Sequence, residues 1–284
     1  MNAPQAIRAY FVPRPSHWPI TGGIALLLTT TGAATWLNRG AAAPYILGAG
    51  VLVLLCVLAG WFGSVIRESE AGLYNQQVDR SYRWSMACFI FSEVMFFGAF
   101  FAALFYLRFH AVPELASGDT ATLWPGFKGG WPATGPAIDQ AVRPMQAFGI
   151  PSINTLILLS SAATLTWAHH GLLKGARGQL KLGLCLTIVL GFLFLGLQAN
   201  EYYRAYTQLG LTLASGAYGA TFFLLTGFHG LHVAIGATVL CVIFGRSLRG
   251  DFTPDDLFAF QGAAWYWHFV DVVWLLVYLL VYWL

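Results

Sequence analysis

Charged side chains are scarce in this sequence. Lys, Arg, Asp and Glu make up 10% of the 284 residues, whereas hydrophobic residues make up 57%, and the mean hydropathy is +0.64. A soluble domain carries about 25% charged residues, so this deficit excludes an ordinary soluble fold and indicates an integral membrane protein. The net charge of +3 is not gathered into a basic block. We therefore expect no nucleic-acid partner.

Cysteine is also rare, and no two cysteines have the spacing of a disulfide or metal motif. Cys56, Cys88, Cys185 and Cys241 each stand alone inside an apolar run. We interpret them as small buried hydrophobic side chains. The N-terminal stretch MNAPQAIRAYFVPRPSHWPI lacks the basic segment, apolar core and A-x-A site of a cleaved signal peptide, so none is expected.

Seven apolar runs are long enough to cross a bilayer, since a helix needs roughly 20 residues to cross about 30 Å of hydrocarbon. They lie at about Trp18–Leu37, Tyr45–Ile66, Trp84–Leu107, Ile150–His170, Leu180–Tyr202, Tyr218–Phe244 and Phe260–Trp283. Small residues indicate close helix packing at Ala59 and Gly63, at Gly98 and Ala102, and along Ser160–Thr164. No linker or composition change separates a second domain. The sequence predicts one all-α transmembrane bundle over residues 1–284.

The cationic residues between the spans are unequally divided. Ten Lys and Arg residues fall on the side of the N-terminal tail, among them Arg8 and Arg14, and five fall on the other side. Loops that stay in the cytoplasm carry the excess of positive charge. This bias predicts a cytoplasmic N-terminus and a C-terminus on the outer side.

Glu93 is a carboxyl group near the middle of the third span. Its neighbours one helical turn away are apolar: Phe89, Ile90, Phe96 and Phe97. Hydrocarbon disfavours the ionised form of a carboxyl group, so we expect Glu93 to be neutral unless a cation lies beside it. Its partner must come from another helix, a lipid headgroup or water. A structural hydrogen bond and a role in proton transfer or ligand binding both fit this pattern.

Two further polar pairs lie inside the spans. His268 and Asp271 share one helix face at a spacing of three residues, and so do His229 and His232. The histidine pair, like the adjacent pair in TWAHH, could contribute to a metal site, but no carboxylate or cysteine stands beside it at ligand spacing. We therefore interpret all four residues as structural hydrogen-bonding groups, and we expect no metal.

On physical grounds, three kinds of protein fit a seven-helix bundle with a buried acid: an accessory subunit of a membrane complex, a proton-coupled transporter and a seven-helix receptor. Longer motifs discriminate among them, and they run in order through all seven spans. They are SHWPITG at 16–22, IRES at 66–69, FIFSEVMFFGAFF at 89–101, TWAHHGLLKG at 166–175, NEYYRAY at 200–206, YGATFFLLTGFHGLHVAIG at 218–236 and AAWYWHFVDVVWLLVY at 264–278. Together they resemble subunit III of cytochrome c oxidase.

The resemblance implies an arrangement that the residues alone do not show. The first two helices and the remaining five would form two groups around a V-shaped cleft filled with phospholipid. Trp61, Arg67, Glu68 and Arg246 would bind lipid there, whereas composition alone favours ordinary snorkelling of the cations at the helix ends. Glu93 matches the glutamate of the family that reacts with carbodiimides.

The implied role is that of a core subunit without redox centres. The chain would pack directly against subunit I, with subunit II in the same complex, and would bind no haem or copper itself. It would support the stability of subunit I, proton uptake and oxygen access, while the complex oxidises cytochrome c, reduces oxygen to water and pumps protons.

Two alternatives stay open. A quinol oxidase subunit III typically lacks the first two spans, so residues 18–66 favour the cytochrome c enzyme. A stand-alone proton-coupled transporter built on Glu93 and Asp271 is the alternative from another class. We expect a bacterial inner membrane rather than a mitochondrial one, although the composition is compatible with both.

Overall fold

The structure is a computed structural model that describes residues 15–138, 143–252 and 257–283. These residues are mainly helical, and no β-strand occurs among them. Its helices are α1 (Trp18–Leu37), α2 (Ala43–Glu70), α3 (Gln76–Tyr106), α4 (Val112–Leu115), α5 (Thr120–Leu123), α6 (Ile150–Leu173), α7 (Arg177–Gln208), α8 (Gly216–Arg249) and α9 (Phe258–Val277). The predicted all-α membrane fold is confirmed.

Among the described residues, seven helices are long and apolar enough to cross a membrane. The first has the predicted bounds, and the others extend beyond the apolar runs at one or both ends. A π-helical segment, Leu107–Ala111, joins α3 to α4, and a second, Tyr278–Trp283, follows α9. The helices end in different ways. Gly250, for example, ends α8 in a left-handed conformation with φ of 86°.

The chain divides into two compact units, residues 1–82 and 83–284. The first unit contains α1, α2 and the first turns of α3. Its two long helices touch at glycine: a Cβ on Gly32 would lie 2.5 Å from the Leu47 nitrogen, and one on Gly50 would lie 2.5 Å from the Thr29 nitrogen. Because glycine has no side chain, the two helix backbones can approach each other closely at these positions. The lipid-filled cleft and the single-domain organisation remain predictions.

The second unit is built around a ring of four helices, in which α6 and α8 each pack against both α7 and α9. Trp267 of α9 is fully buried in this unit, and its Nε1–H donates a hydrogen bond of 3.0 Å to Ser161 Oγ on α6. The indole ring lies against Gly191 of α7 and Gly236 of α8, where a Cβ would come within 2.6 and 2.9 Å of it. One tryptophan therefore joins all four helices.

Large aromatic side chains connect α3 to the four-helix ring. Phe96 meets Phe228 of α8 at a centroid distance of 5.1 Å, and Phe97 meets Phe269 of α9 at 6.2 Å. These rings keep the α3 backbone farther from its neighbours than small residues would. The spacing leaves room for a polar side chain between α3 and α8.

Much of the apolar surface is exposed in the isolated chain. Only 11% of the residues in the apolar windows of the first three spans are buried, compared with 50% in the last span. Cys56, Cys88, Cys185 and Cys241 are exposed too, so the prediction that they are buried was wrong. A surface that faces hydrocarbon is itself apolar, and small apolar residues need no interior position there.

The orientation in the membrane remains a prediction. Arg8 and Arg14, which contribute to the charge bias on which it rests, lie outside the described residues.

Candidate functional site

Glu93 on α3 and His232 on α8 form a polar pair inside the second unit. Glu93 Oε2 lies 2.9 Å from His232 Nε2, and the two side chains are 21% and 11% exposed. The partner of Glu93 thus comes from another helix, as expected. The sequence indicated that both residues are polar groups of the interior, but it did not pair them.

The hydrogen bond of the other ring nitrogen of His232 shows where the protons of this pair lie. Its Nδ1 lies 2.6 Å from the Phe228 carbonyl oxygen. A carbonyl oxygen only accepts, so Nδ1 carries a hydrogen, and this tautomer is assigned from the hydrogen-bond network. The contact between Nε2 and Glu93 therefore holds one proton. Either the carboxylic acid donates to a neutral imidazole, or an imidazolium donates to a carboxylate.

Both states of the pair have zero net charge. The two groups consequently need no further ion to balance them in an apolar environment. Phe97 packs edge-on against the His232 ring at 5.0 Å, and Tyr266 stacks on it at 6.3 Å. These rings limit water around the imidazole, which strengthens the hydrogen bond to Glu93. The arrangement can hold a proton between α3 and α8.

The other predicted polar residues have separate partners. His229 is fully buried, and its Nε2–H donates to the Val270 carbonyl oxygen on α9 at 3.2 Å. His268 Nδ1 lies 3.5 Å from Asp271 Oδ2 on the same helix, as their spacing predicted. Within the three described ranges, no group of three or more His, Cys, Asp or Glu side chains is arranged to hold a metal ion.

Three of the predicted lipid-binding residues belong to the first unit. Trp61 is 43% exposed, and Arg67 Nη2 donates to Ser64 Oγ at 3.0 Å while its side chain stays exposed. Glu68 Oε2 accepts a hydrogen bond of 2.9 Å from the Tyr74 hydroxyl. Burial raises the pKa of Tyr74 above its usual value, and hydrogen bonds of its hydroxyl with Tyr82 and Glu68 raise the pKa further. The Arg67 guanidinium group is therefore an exposed cation, whereas the Glu68 carboxyl group is hydrogen-bonded to Tyr74.

Arg246, the fourth predicted lipid-binding residue, lies in the second unit and is only 6% exposed. Its Nε lies 3.6 Å from Asp251 Oδ2, and its guanidinium carbon lies 4.8 Å from the centre of the Phe252 ring. The cation is therefore already engaged by its own unit. A lipid phosphate at this position would have to compete with Asp251 or share the guanidinium group with it.

A family model for Cytochrome c oxidase subunit III matches residues 8–284. The chain belongs to the cytochrome c oxidase subunit III family. Proteins named cytochrome c oxidase subunit 3 from Carassius auratus, Squalus acanthias and Equus caballus are 44%, 43% and 42% identical to it. Each comparison covers 276 residues, 97% of this chain and 97% of the relative.

Membership of the subunit III family places the chain in an oxidase complex with other subunits. With its seven apolar helices, this subunit III homologue is a multi-pass membrane protein. The three relatives named above are vertebrate proteins. They give no support to the predicted bacterial inner membrane.

Proposed function

We propose that this chain is the non-redox core subunit III of a cytochrome c oxidase. It supports the stability of subunit I, sustains proton uptake and contributes to oxygen access. The complex around it oxidises cytochrome c, reduces oxygen to water and pumps protons. The haems and copper belong to the partner subunits, of which subunit I is in direct contact and subunit II is in the same assembly.

The paired carboxyl and imidazole of Glu93 and His232 carry this proposal within the chain. The pair holds one proton at zero net charge and leaves the carboxyl 21% exposed in the isolated chain. Gain or loss of this proton would leave an uncompensated charge in an apolar environment, which is unfavourable. We therefore assign the pair a modulating role rather than a step in proton pumping. Pumping is accordingly carried out by other subunits, and Glu93 remains the carbodiimide-reactive group.

The exposed apolar face of α3 supports a direct contact with another subunit. Trp84, Phe91 and Met95 are 73%, 63% and 54% exposed. Apolar side chains of this size require lipid or protein around them. In the proposed assembly, bound phospholipid and subunit I share this surface.

The lipid-binding role rests on different contacts in the two units. In the first unit, exposed Arg67 provides a cation and Trp61 an amphipathic ring, a combination suited to a phospholipid headgroup. In the second unit, Arg246 binds lipid only where a phosphate competes with Asp251 or shares the Arg246 guanidinium group with it.

We retain the bacterial inner membrane, with a cytoplasmic N-terminus, as the proposed location.

The role is tested by preparing the oxidase with and without this chain. Without the chain, we expect activity to decay faster during turnover and proton uptake to slow, and adding the chain back should restore both. Equal decay and equal uptake in the two preparations would refute the supporting role.

The transporter alternative is tested with the chain alone in liposomes. We expect no proton-coupled solute uptake. Uptake that is lost in Glu93→Gln and Asp271→Asn variants would contradict the subunit assignment.

A further inference from the structure

Glu201 on α7 is a second buried carboxyl group, separate from the Glu93 site. The residue is 1% exposed, and neither carboxyl oxygen has a hydrogen-bond partner. No Lys, Arg or His of the described ranges forms an ion pair with it. An ionised carboxylate in this position would be strongly unfavourable, because nothing replaces the water it has lost.

Three other buried polar side chains are linked to Glu201, either directly or through one another. Gln198 lies one turn earlier on α7, Asn154 lies on α6, and Tyr282 follows α9; they are 4%, 0% and 8% exposed. Asn154 Nδ2 donates a long hydrogen bond of 3.4 Å to Gln198 Oε1. The Tyr282 hydroxyl lies close to both Gln198 and Glu201 but does not form a well-aligned hydrogen bond with either. Four polar side chains from three parts of the bundle thus meet in its interior.

Most of their polar atoms lack a partner. Besides the two carboxyl oxygens of Glu201, the Asn154 Oδ1, Gln198 Nε2 and Tyr282 hydroxyl groups are buried without a hydrogen bond. Buried polar groups in native proteins are nearly always satisfied, so a group of five unsatisfied atoms requires an explanation, of which a bound water or ion is one. A buried water makes about three hydrogen bonds, so these five atoms suit about two waters.

The mixture of donors and acceptors distinguishes water from a metal cation. A cation would accept the lone pairs of Asn154 Oδ1 and Glu201 but would repel the N–H group of Gln198. Exchanging the oxygen and nitrogen of both amides does not remove this conflict, because it leaves the Asn154 amide nitrogen as the free donor. Only a ligand that both donates and accepts satisfies the set.

We propose that Asn154, Gln198, Glu201 and Tyr282 form a buried water-binding site in which Glu201 carries an exchangeable proton. The proton removes the charge that the interior would otherwise have to hold, and the water links the carboxylic acid to the two amides and the phenol. The site lies entirely within the second unit, and it does not depend on the function proposed for the complex.

The other titratable groups around Glu201 are tyrosines. Besides Tyr282, they are Tyr202 on the same helix and Tyr218 on α8. The Tyr202 hydroxyl is hydrogen-bonded to Thr226 Oγ1 at 2.6 Å, and the Tyr218 hydroxyl accepts from the Met145 N–H at 3.2 Å. Each of these hydroxyls already has a hydrogen-bond partner, so Tyr202→Phe is a matched control for Tyr282→Phe.

Infrared spectroscopy of the intact oxidase complex tests the proposal. We expect a carboxylic acid C=O band that moves to lower frequency in D₂O and is lost in Glu201→Gln. Tyr282→Phe should shift this band, and Tyr202→Phe should leave it unchanged. A spectrum with no band that depends on Glu201 would overturn the proposal, as would a carboxylate band that responds to added sodium or potassium chloride.

A second measurement tests the proposal if the complex that carries Glu201→Gln does not assemble. A cryo-electron microscopy map of the unmodified complex, at a resolution that shows ordered water, should contain density within hydrogen-bonding distance of Glu201 and at least one amide. Direct hydrogen bonds among the four side chains, with no density between them, would refute the water site.

Discussion

Replacing Glu93 by leucine should destabilise the chain by about 1–2 kcal/mol. The substitution removes the 2.9 Å hydrogen bond between α3 and His232 on α8. Hydrogen bonds between membrane helices contribute about 0.6 kcal/mol on average and up to about 1.7 kcal/mol, and the imidazole Nε2 is left without its partner. The cost remains moderate because the Phe228 carbonyl still holds the other ring nitrogen.

Glu93→Gln should be nearly neutral, within about 0.5 kcal/mol. When Glu93 is a carboxylic acid and His232 a neutral imidazole, His232 Nε2 accepts, and a glutamine N–H can donate to it as the acid does. Ser92→Ala is the matched control on the same helix, since the Ser92 hydroxyl donates to the Phe89 carbonyl of its own helix. Stability is measured by denaturant titration of the detergent-solubilised complex, with the unfolding of this chain followed separately.

A charged pair would behave differently. If His232 were an imidazolium beside a carboxylate, removing one partner would leave a buried ion, at a cost of about 3–5 kcal/mol. The native complex would also show no carboxylic acid band that disappears in Glu93→Gln. A cost above about 3 kcal/mol for Glu93→Leu, together with that missing band, would refute a neutral Glu93.

Two further predictions concern packing and lipid. Gly236→Ala should destabilise the second unit by about 1–2 kcal/mol, because the added Cβ would press on the buried Trp267 ring. Gly230→Ala on the same helix is the control, since its Cβ would meet no atom of the described residues within 4 Å. This control should be neutral or slightly stabilising in the same denaturant titration. Arg67→Gln should lower the phospholipid retained by the purified complex, as measured by mass spectrometry, whereas Arg39→Gln should not; equal retention in both variants would argue against lipid binding at Arg67.

The spans could be predicted because the bilayer determines their length and composition. Trp18–Leu37 is both the predicted span and the observed helix, whereas α7 runs to Gln208, past the predicted end at Tyr202. The extra turns carry polar residues outside the apolar window, and hydropathy cannot detect them. Helix ends depend on local backbone bonding rather than on burial in hydrocarbon.

Contacts between helices were harder to predict. Glu93 and His232 are 139 positions apart, and their pairing requires the rotation and depth of both α3 and α8. The absence of a partner on its own helix left another helix, a lipid headgroup or water as the source of the partner of Glu93, and it did not identify a residue. Gly98 illustrates the same limit: it was expected to mark close packing, yet within the described part of the chain no atom of a neighbouring helix lies within 4 Å of where its Cβ would be.

Ser160–Thr164 was a better guide to packing. Ser161 is fully buried, and the Thr164 hydroxyl bonds to Thr187 on α7 at 2.8 Å. Small polar residues at a buried helix surface both allow close approach and require partners, and here they mark the contact between α6 and α7.

The most direct test of membership in an oxidase complex is purification of the native assembly through a tag on this chain. Membership predicts that the tag recovers the haem-containing catalytic subunit, with its visible absorption bands and cytochrome c oxidation activity. Recovery of a haem-free monomer that moves a solute across liposomes would contradict it.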